Sequence, residues 1–166
     1  MVELVLYLIR HEDAEDSDPD EDRALTPEGR RRMARTARFL AERGEHLDLI
    51  RTSPLVRAVQ TAEILANGLG VDDVEIERSI ASPPAITRLF DRLTRVPPGT
   101  KRLAIVGHEP TLSGVVLHMF PDAHWTGMKR GAVLCATIEG GAARFEFFID
   151  PKGPTLLDTL ATSGHR

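Results

Sequence analysis

Two histidines and two arginines occupy positions at which a folded chain could bring them together. Arg10 and His11 directly follow one apolar segment, and His108 follows another almost directly. Arg57 lies just beyond a third apolar segment, in the first turn of a predicted helix. A single histidine after a strand is more often a packing residue than a catalytic one. Two histidines and two arginines that meet at the same end of a sheet favour a catalytic role.

The chemistry that suits this set is phosphoryl transfer. One imidazole can attack phosphorus and hold it covalently, while planar guanidinium forks match phosphate oxygens. A cation in the first turn of a helix is unfavourable by ~0.3–1 kcal/mol, so Arg57 indicates an anion nearby. That anion is either a bound phosphate at the helix N-terminus or the acidic loop of residues 12–22; alternatively, Arg57 is a solvated surface residue.

Neighbouring arginines should lower the pKa of the attacking imidazole from its usual ~6.5, which keeps it unprotonated near pH 7. A metal site is a weaker interpretation. Two histidines without a placed carboxylate bind a metal poorly, and two arginines beside them repel a cation. We therefore expect neither a metal nor another cofactor.

Apolar runs alternate with helical patterns along most of the chain. The predicted strands cover residues 4–9, 47–52, 74–77, 103–106, 132–138 and 144–149. The predicted helices begin near residues 27, 54, 84 and 111. This alternation predicts an α/β fold with three layers, a mainly parallel sheet flanked by helices. Because ligands in such sheets bind beyond the carboxyl ends of the strands, Arg10, His11, Arg57 and His108 should meet there.

The 166 residues suit one domain spanning residues 1–166. The segment 151–166 is rich in Gly, Pro and Thr, and we expect it to be partly loose. The first apolar run is too short for a signal peptide or a membrane span, which predicts a cytoplasmic protein without a membrane partner. The single cysteine, Cys135, excludes an internal disulfide and reads as a small buried residue.

Residues 12–22 form an acidic loop directly after His11. Its acids are Glu12, Asp13, Glu15, Asp16, Asp18, Asp20, Glu21 and Asp22. The net charge is −4, and such a loop argues against nucleic acid as a partner. A calcium loop is rejected, because Glu21 and Pro27 occupy positions that need Gly and Glu. The loop is either a solvated segment or a surface that repels polyanions or docks a basic partner.

Four stretches resemble the histidine phosphatase superfamily, which also contains the phosphoglycerate mutases. They are "LYLIRH", "ALTPEGRRRMARTARFL", "TSPLVRAVQTAEIL" and "AIVGHEPTLSGVV". The short length and "RALTPEG" are most similar to the SixA-like branch, the phosphohistidine phosphatases. The resemblance implies a minimal phosphoglycerate mutase-like fold in which His11 is the phosphorylated nucleophile. It also implies that Arg10, Arg57 and His108 bind the phosphoryl group, and that Ser53–Pro54 caps and starts the helix of Arg57.

The sequence departs from the family pattern at two places. Glu12 stands where a small residue, often Gly, follows the Arg–His pair, so its carboxylate could repel phosphate or hydrogen-bond His11 from behind. Larger members carry a carboxylic acid on an insertion after the third strand, whereas Glu77 here is followed closely by the next helix. The chain therefore lacks a lid insertion and a clear general acid.

The absent acid bears on the substrate. An alkoxide is a poor leaving group that benefits from a general acid, while the imidazole of phosphohistidine leaves more easily. The resemblance therefore implies hydrolysis of phosphohistidine on a protein, such as a histidine phosphotransfer domain, or of a small phosphorylated substrate. A small-molecule phosphomonoester phosphatase or mutase is one alternative. A non-catalytic module that binds phosphate or a partner is another.

Overall fold

A computed structural model describes residues 3–152, 154–157 and 159–160, which fold around one seven-stranded sheet. In sheet order the strands are β3, β2, β4, β1, β5, β6 and β7. Their bounds are β1 Leu4–Arg10, β2 Leu49–Thr52, β3 Val74–Ile76, β4 Arg102–Gly107, β5 Val133–Glu139, β6 Ala142–Asp150 and β7 Thr155–Leu157. Strands β1 to β4 are parallel, and β5 to β7 extend the sheet by antiparallel pairing.

The α-helices of the described residues cover both faces of this sheet. They are α1 Pro27–Glu42, α2 Val56–Leu69, α3 Ile86–Thr94 and α4 Thr111–Met119. Helices α1 and α2 pack on one face and α3 and α4 on the other, each pair over its own apolar core. The predicted three-layer α/β fold is confirmed.

Strand β1 shows why the apolar runs are continuous. Its Leu6 and Leu8 face the core under α3 and α4, whereas Tyr7 and Ile9 face the core under α1 and α2. Strands covered on both faces bury every side chain, so they lose the polar–apolar alternation of a half-exposed strand.

The two predicted helix starts differ in outcome. Thr26 caps α1 as predicted, because its Oγ1 accepts a hydrogen bond from the backbone of Gly29 at 2.9 Å. Helix α2 begins at Val56 with Leu55 at the N-cap position, two residues later than predicted, and no side chain caps it. The prediction that Ser53 caps this helix is therefore wrong.

Part of the segment after residue 150 forms a strand that the sequence did not predict. Within the segment 151–166, which the composition predicts to be partly loose, residues 155–157 form β7 and pair with β6. Residues 153, 158 and 161–166 lie outside the described part of the chain.

Strand register brings the predicted site residues to one edge. Arg10 pairs with Gly107 at the end of β1 and β4, and Thr52 of β2 pairs with the preceding Val106. The residues that follow these three strands are therefore neighbours. Only residues 77–85 separate β3 from α3, so the described chain has no lid insertion there. Among the described helices, none has the length and apolarity to span a membrane.

Candidate active site

The four predicted site residues line one cavity of about 300 Å³ at the carboxyl edge of the sheet. The lining residues are Arg10, His11, Ala14, Arg23, Arg57, His108, Glu109 and Arg130. The rings of His11 and His108 lie side by side, with centroids 5.4 Å apart. Four cations and two imidazoles face a single space, which suits a doubly charged oxyanion.

His11 is fixed by backbone carbonyls of β4 and of the residue that follows it. Its backbone donates to Gly107 O at 3.0 Å, and its ring Nδ1 lies 2.7 Å from Glu12 O. Because a carbonyl oxygen only accepts, Nδ1 carries the ring hydrogen and Nε2 keeps its lone pair. The backbone itself thus selects the nucleophilic tautomer.

Burial controls the charge of both imidazoles. The pKa of His11 is lowered to about 4, mainly by burial and in smaller part by the nearby His108, Arg57 and Arg10, against the bond to Glu12 O, which raises it. Burial likewise lowers the pKa of His108 to about 4, with Arg57 as the next cause. The arginines contribute as the sequence predicts, but burial is the larger cause. Both rings are neutral at pH 7.

Helix α2 holds the segment that follows His11. Thr61 Oγ1 accepts from the backbone of Glu12 at 3.2 Å and donates to Arg57 O at 2.7 Å. The preceding residue, Gln60, accepts through Oε1 from the backbone of Leu25 at 2.8 Å, where the acidic loop returns. Adjacent side chains of α2 therefore anchor both ends of that loop.

Arg10 is oriented by a segment that we call the strap, residues 125–131. Its Nη1 donates to Met128 O of the strap at 2.7 Å. Glu109 accepts from Met128 N at 3.3 Å and from Ser113 N at 2.9 Å, so it joins the strap to the start of α4. Arg10 Nε is buried and has no hydrogen-bond partner among the described residues.

Arg57 is buried in the first turn of α2, and the acidic loop supplies the anion that this position requires. Its Nη1 donates to Asp20 O at 2.9 Å, and its Nη2 lies 3.3 Å from Asp20 Oδ2. Pairing with the acidic loop, one of the sequence alternatives for Arg57, is therefore observed. Arg57 also lines the cavity, so the same fork faces the space for a phosphoryl group.

Ser53 supports His108 from behind. Its Oγ lies 2.6 Å from His108 Nε2, and Ser53 is fully buried outside the cavity lining. The sequence assigned Ser53 to helix capping, whereas the structure places it against the second histidine. His108 Nδ1 is buried and lacks a hydrogen-bond partner within the described residues.

The carboxylate of Glu12 does not touch His11. It is completely buried, accepts from Asp13 N at 3.0 Å and lies 3.8 Å from Arg32 of α1. Burial raises its pKa. Of the two effects that the sequence suggested for Glu12, hydrogen bonding of its carboxylate to the histidine ring is absent. It is the backbone carbonyl of Glu12 that holds the ring.

Glu77 does not serve the cavity. Its carboxylate binds Ser79 at 2.6 Å and Arg92 at 2.9 Å, away from the lining residues. The described residues also contain no group of three or more His, Cys, Asp or Glu placed to hold a metal ion.

The model of the histidine phosphatase superfamily (branch 1) matches residues 6–81, which include Arg10, His11 and Arg57. The chain belongs to the histidine phosphatase superfamily. A phosphatase reaction that proceeds through a histidine is the activity that this membership supports. His108 lies beyond the matched residues, and its place beside His11 comes from the parallel register of β1 and β4.

The superfamily fold extends over nearly the whole chain. An uncharacterized protein of Picosynechococcus sp. is 32% identical over 152 residues, covering 87% of this chain and 90% of that protein. A structure of the protein histidine phosphatase SixA complexed with tungstate covers 90% of this chain and 99% of its own, with a TM-score of 0.79 and 20% identity. Phosphoglycerate mutase from Bacillus anthracis has a TM-score of 0.71 at 11% identity, covering 87% and 92%. The predicted SixA-like form of the superfamily fold is confirmed.

Sequence reasoning missed the residues that support the four named ones. Ser53, Thr61, Asp20 and Glu109 all contact a site residue or its immediate neighbour. Arg57 and Thr61 are four positions apart in α2, which places them on the same helix face. This spacing could have indicated that Thr61 also faces the strand ends. Asp20 had only the general signal of an acidic loop near an arginine.

Proposed function

We propose that this protein is a phosphohistidine phosphatase that removes a phosphoryl group from a histidine of another protein, through a phosphohistidine intermediate on His11. The observation that carries the proposal is a neutral imidazole whose Nδ1 is fixed by Glu12 O, in a cavity lined by Arg10, Arg57 and His108. A phosphorylated histidine protein, such as a phosphotransfer domain, is the partner, and we place the reaction in the cytoplasm.

In the first step, Nε2 of His11 forms a bond to phosphorus as the bond from phosphorus to the substrate nitrogen breaks. The departing imidazole keeps the electron pair and the proton on its other nitrogen, so it leaves neutral. Arg10 and Arg57 donate to the phosphoryl oxygens, and His108 contacts the group beside His11. The positive charge moves from the substrate ring to the His11 ring.

In the second step, water attacks phosphorus and the bond to Nε2 breaks. The electron pair returns to His11, which is neutral again, and dihydrogen phosphate leaves. The bond from Nδ1–H to Glu12 O steadies the ring while it carries positive charge. No external acid or base is needed to balance either step.

The choice of phosphohistidine over a phosphomonoester is supported by what surrounds the cavity. Only residues 77–85 lie between β3 and α3, and Glu77 is bound to Ser79 and Arg92. An alkoxide leaving group needs a general acid, worth roughly 10²–10⁴-fold in rate, whereas protonated imidazole does not. The SixA structure with the same fold holds tungstate, a tetrahedral oxyanion like phosphate.

The experiment compares kcat/KM for a protein phosphorylated on histidine with that for sugar phosphates and p-nitrophenyl phosphate. We expect the phosphohistidine protein to be preferred by at least about tenfold, since Glu77 is bound to Ser79 and Arg92 and does not line the cavity to assist the esters. A clear preference for a sugar phosphate would contradict the proposal and favour a small-molecule phosphatase or mutase. Phosphate binding without any turnover would favour a non-catalytic module.

A further inference from the structure

The fork of Arg57 already holds an anion that belongs to the protein. Asp20 contacts it twice, through its backbone oxygen and its carboxylate. The same carboxylate also lies 3.2 Å from Nη1 of Arg23, another residue of the cavity lining. A phosphoryl oxygen that approaches Nη2 of Arg57 from this side competes with the Asp20 carboxylate for the same N–H.

The acidic loop is built to present Asp20 at this point. Ala14 and Leu25 pair as an isolated bridge, and Glu15 N donates to Ala24 O at 2.8 Å, so the loop leaves and returns at one place. Its far part carries a short 3-10 turn, Asp20–Asp22, that lies against the start of α2. Arg23 Nε holds the turn by donating to Glu15 O at 2.7 Å.

We propose that Asp20 is a specificity-determining residue, which competes with the phosphoryl group for Arg57 and favours substrates that carry a positive charge beside that group. The inference rests on the proposed function, because it concerns substrate choice at the same site. Once displaced, the carboxylate stays close to a doubly charged phosphoryl group and is repelled by it. A cation on the substrate next to phosphorus removes that repulsion.

Phosphohistidine has this charge pattern when its ring is protonated, whereas a simple phosphomonoester does not. A ligand that must displace Asp20 binds more weakly in proportion to how firmly Asp20 holds Arg57. A ligand with an adjacent cation recovers part of that loss by pairing with the released carboxylate. The Asp20 side chain is 65% exposed, which limits the expected effects to a modest fold-change.

The test measures binding in the absence of turnover, with His11→Asn as the common background. Three probes are titrated by calorimetry: inorganic phosphate, methyl phosphate, and phosphoramidate, whose nitrogen is protonated and positive at neutral pH. Asp20→Asn is compared with Asp22→Asn, which removes the same charge from the same turn. Among the described residues, the exposed Asp22 forms no ion pair with Arg57 or Arg23.

Relative to Asp22→Asn, we expect Asp20→Asn to tighten the binding of phosphate by about two- to tenfold. We also expect it to reduce the preference for phosphoramidate over methyl phosphate by a similar factor. Phosphate affinity that is unchanged by Asp20→Asn, or a preference that is unchanged, overturns the inference. Since no probe is hydrolysed, these results are independent of whether His11 becomes phosphorylated, so the inference and the proposed function fail separately.

Discussion

At the scale of single residues, burial is the main reason that the His11 ring is unprotonated at neutral pH. A solvated imidazole with a pKa of ~6.5 is partly protonated at pH 7, and a protonated ring is not a nucleophile. Desolvation lowers the pKa of His11 to about 4, and Glu12 O fixes which nitrogen is free. The same burial lowers stability at acidic pH, because the unfolded chain binds a proton on the His11 ring that the folded chain resists.

That cost gives a pH prediction. Between about pH 6.5 and pH 4 the unfolded chain binds a proton on His11 that the folded chain does not, so stability falls with falling pH. His11 alone should contribute a loss of about 2 kcal/mol between pH 7.5 and pH 5. In His11→Gln, the drop in unfolding free energy over this interval should shrink by that amount, as measured by urea denaturation at both pH values. The exposed His46→Gln is the control, and an equal drop in all three proteins would contradict the account.

Ser53 gives a second prediction at this scale. Because it touches His108 and does not line the cavity, its removal should loosen the second imidazole without removing a contact to substrate. We expect Ser53→Ala to lower kcat by about tenfold, since a misplaced group costs rate, with KM changed less than twofold. Steady-state kinetics of Ser53→Ala measure both constants. Ser79→Ala is the control, because Ser79 binds Glu77 outside the cavity. A rise in KM at unchanged kcat would show that Ser53 acts differently.

At the scale of elements, the strap and the start of α4 behave as one support for Arg10. Glu109 accepts from both, and the strap carbonyl of Met128 accepts from Arg10. The indole of Trp125 adds to this by donating to Ser113 Oγ at 2.8 Å. A carboxylate is suited to this position, since it only accepts, and both of the backbone groups it meets are donors.

Glu109→Gln should therefore weaken the placement of Arg10. The new amide NH₂ would face a backbone N–H on one side, and the strap would shift. We expect KM for a phosphoryl substrate to rise by about three- to tenfold as a phosphate contact is misaligned. The control is Glu139→Gln on the exposed hairpin between β5 and β6. Kinetic constants of Glu109→Gln that match those of the control would remove Glu109 from the support of Arg10.

The other end of the strap packs on Glu12. Gly131 has φ +80°, and a Cβ there would overlap Glu12 Oε1. Gly141 has the same φ with open space around it. Gly141→Ala therefore measures the loss of stability that comes from the backbone conformation alone. We expect Gly131→Ala to lower the unfolding free energy by about 1–3 kcal/mol more than Gly141→Ala, because only the first overpacks a buried carboxylate. Chemical denaturation of both variants measures this, and equal losses would mean that Glu12 moves aside freely.

At the scale of the whole molecule, the fold could be predicted because its strands are covered on both faces. Continuous apolar runs mark such strands, and the residues after them must meet at one edge, which placed His11 and His108 together. The antiparallel β7 carried no such signal in a segment rich in Gly, Pro and Thr. The start of α2 was misplaced because Ser53–Pro54 has the form of a helix cap but serves His108 instead.

The supporting contacts could not be predicted, because they join segments far apart in the chain. Asp20 and Arg57 are separated by 37 positions, and Ser53 and His108 by 55. Local patterns report which residues face a core or end a strand, but not which loop side chain reaches a given arginine. The sequence offered pairing of Arg57 with the acidic loop as one alternative, but it could not indicate that Asp20 is the residue that makes the pair.

The central claim is that His11 carries the phosphoryl group during turnover. The most direct measurement is to mix the protein with a ³²P-labelled phosphohistidine protein, stop the reaction within milliseconds in alkali and map the label by mass spectrometry. We predict an acid-labile, alkali-stable phosphoryl group on His11, which is absent from His11→Asn and decays at a rate no slower than turnover. Turnover by wild type with no label on His11, or full turnover by His11→Asn, would contradict the account.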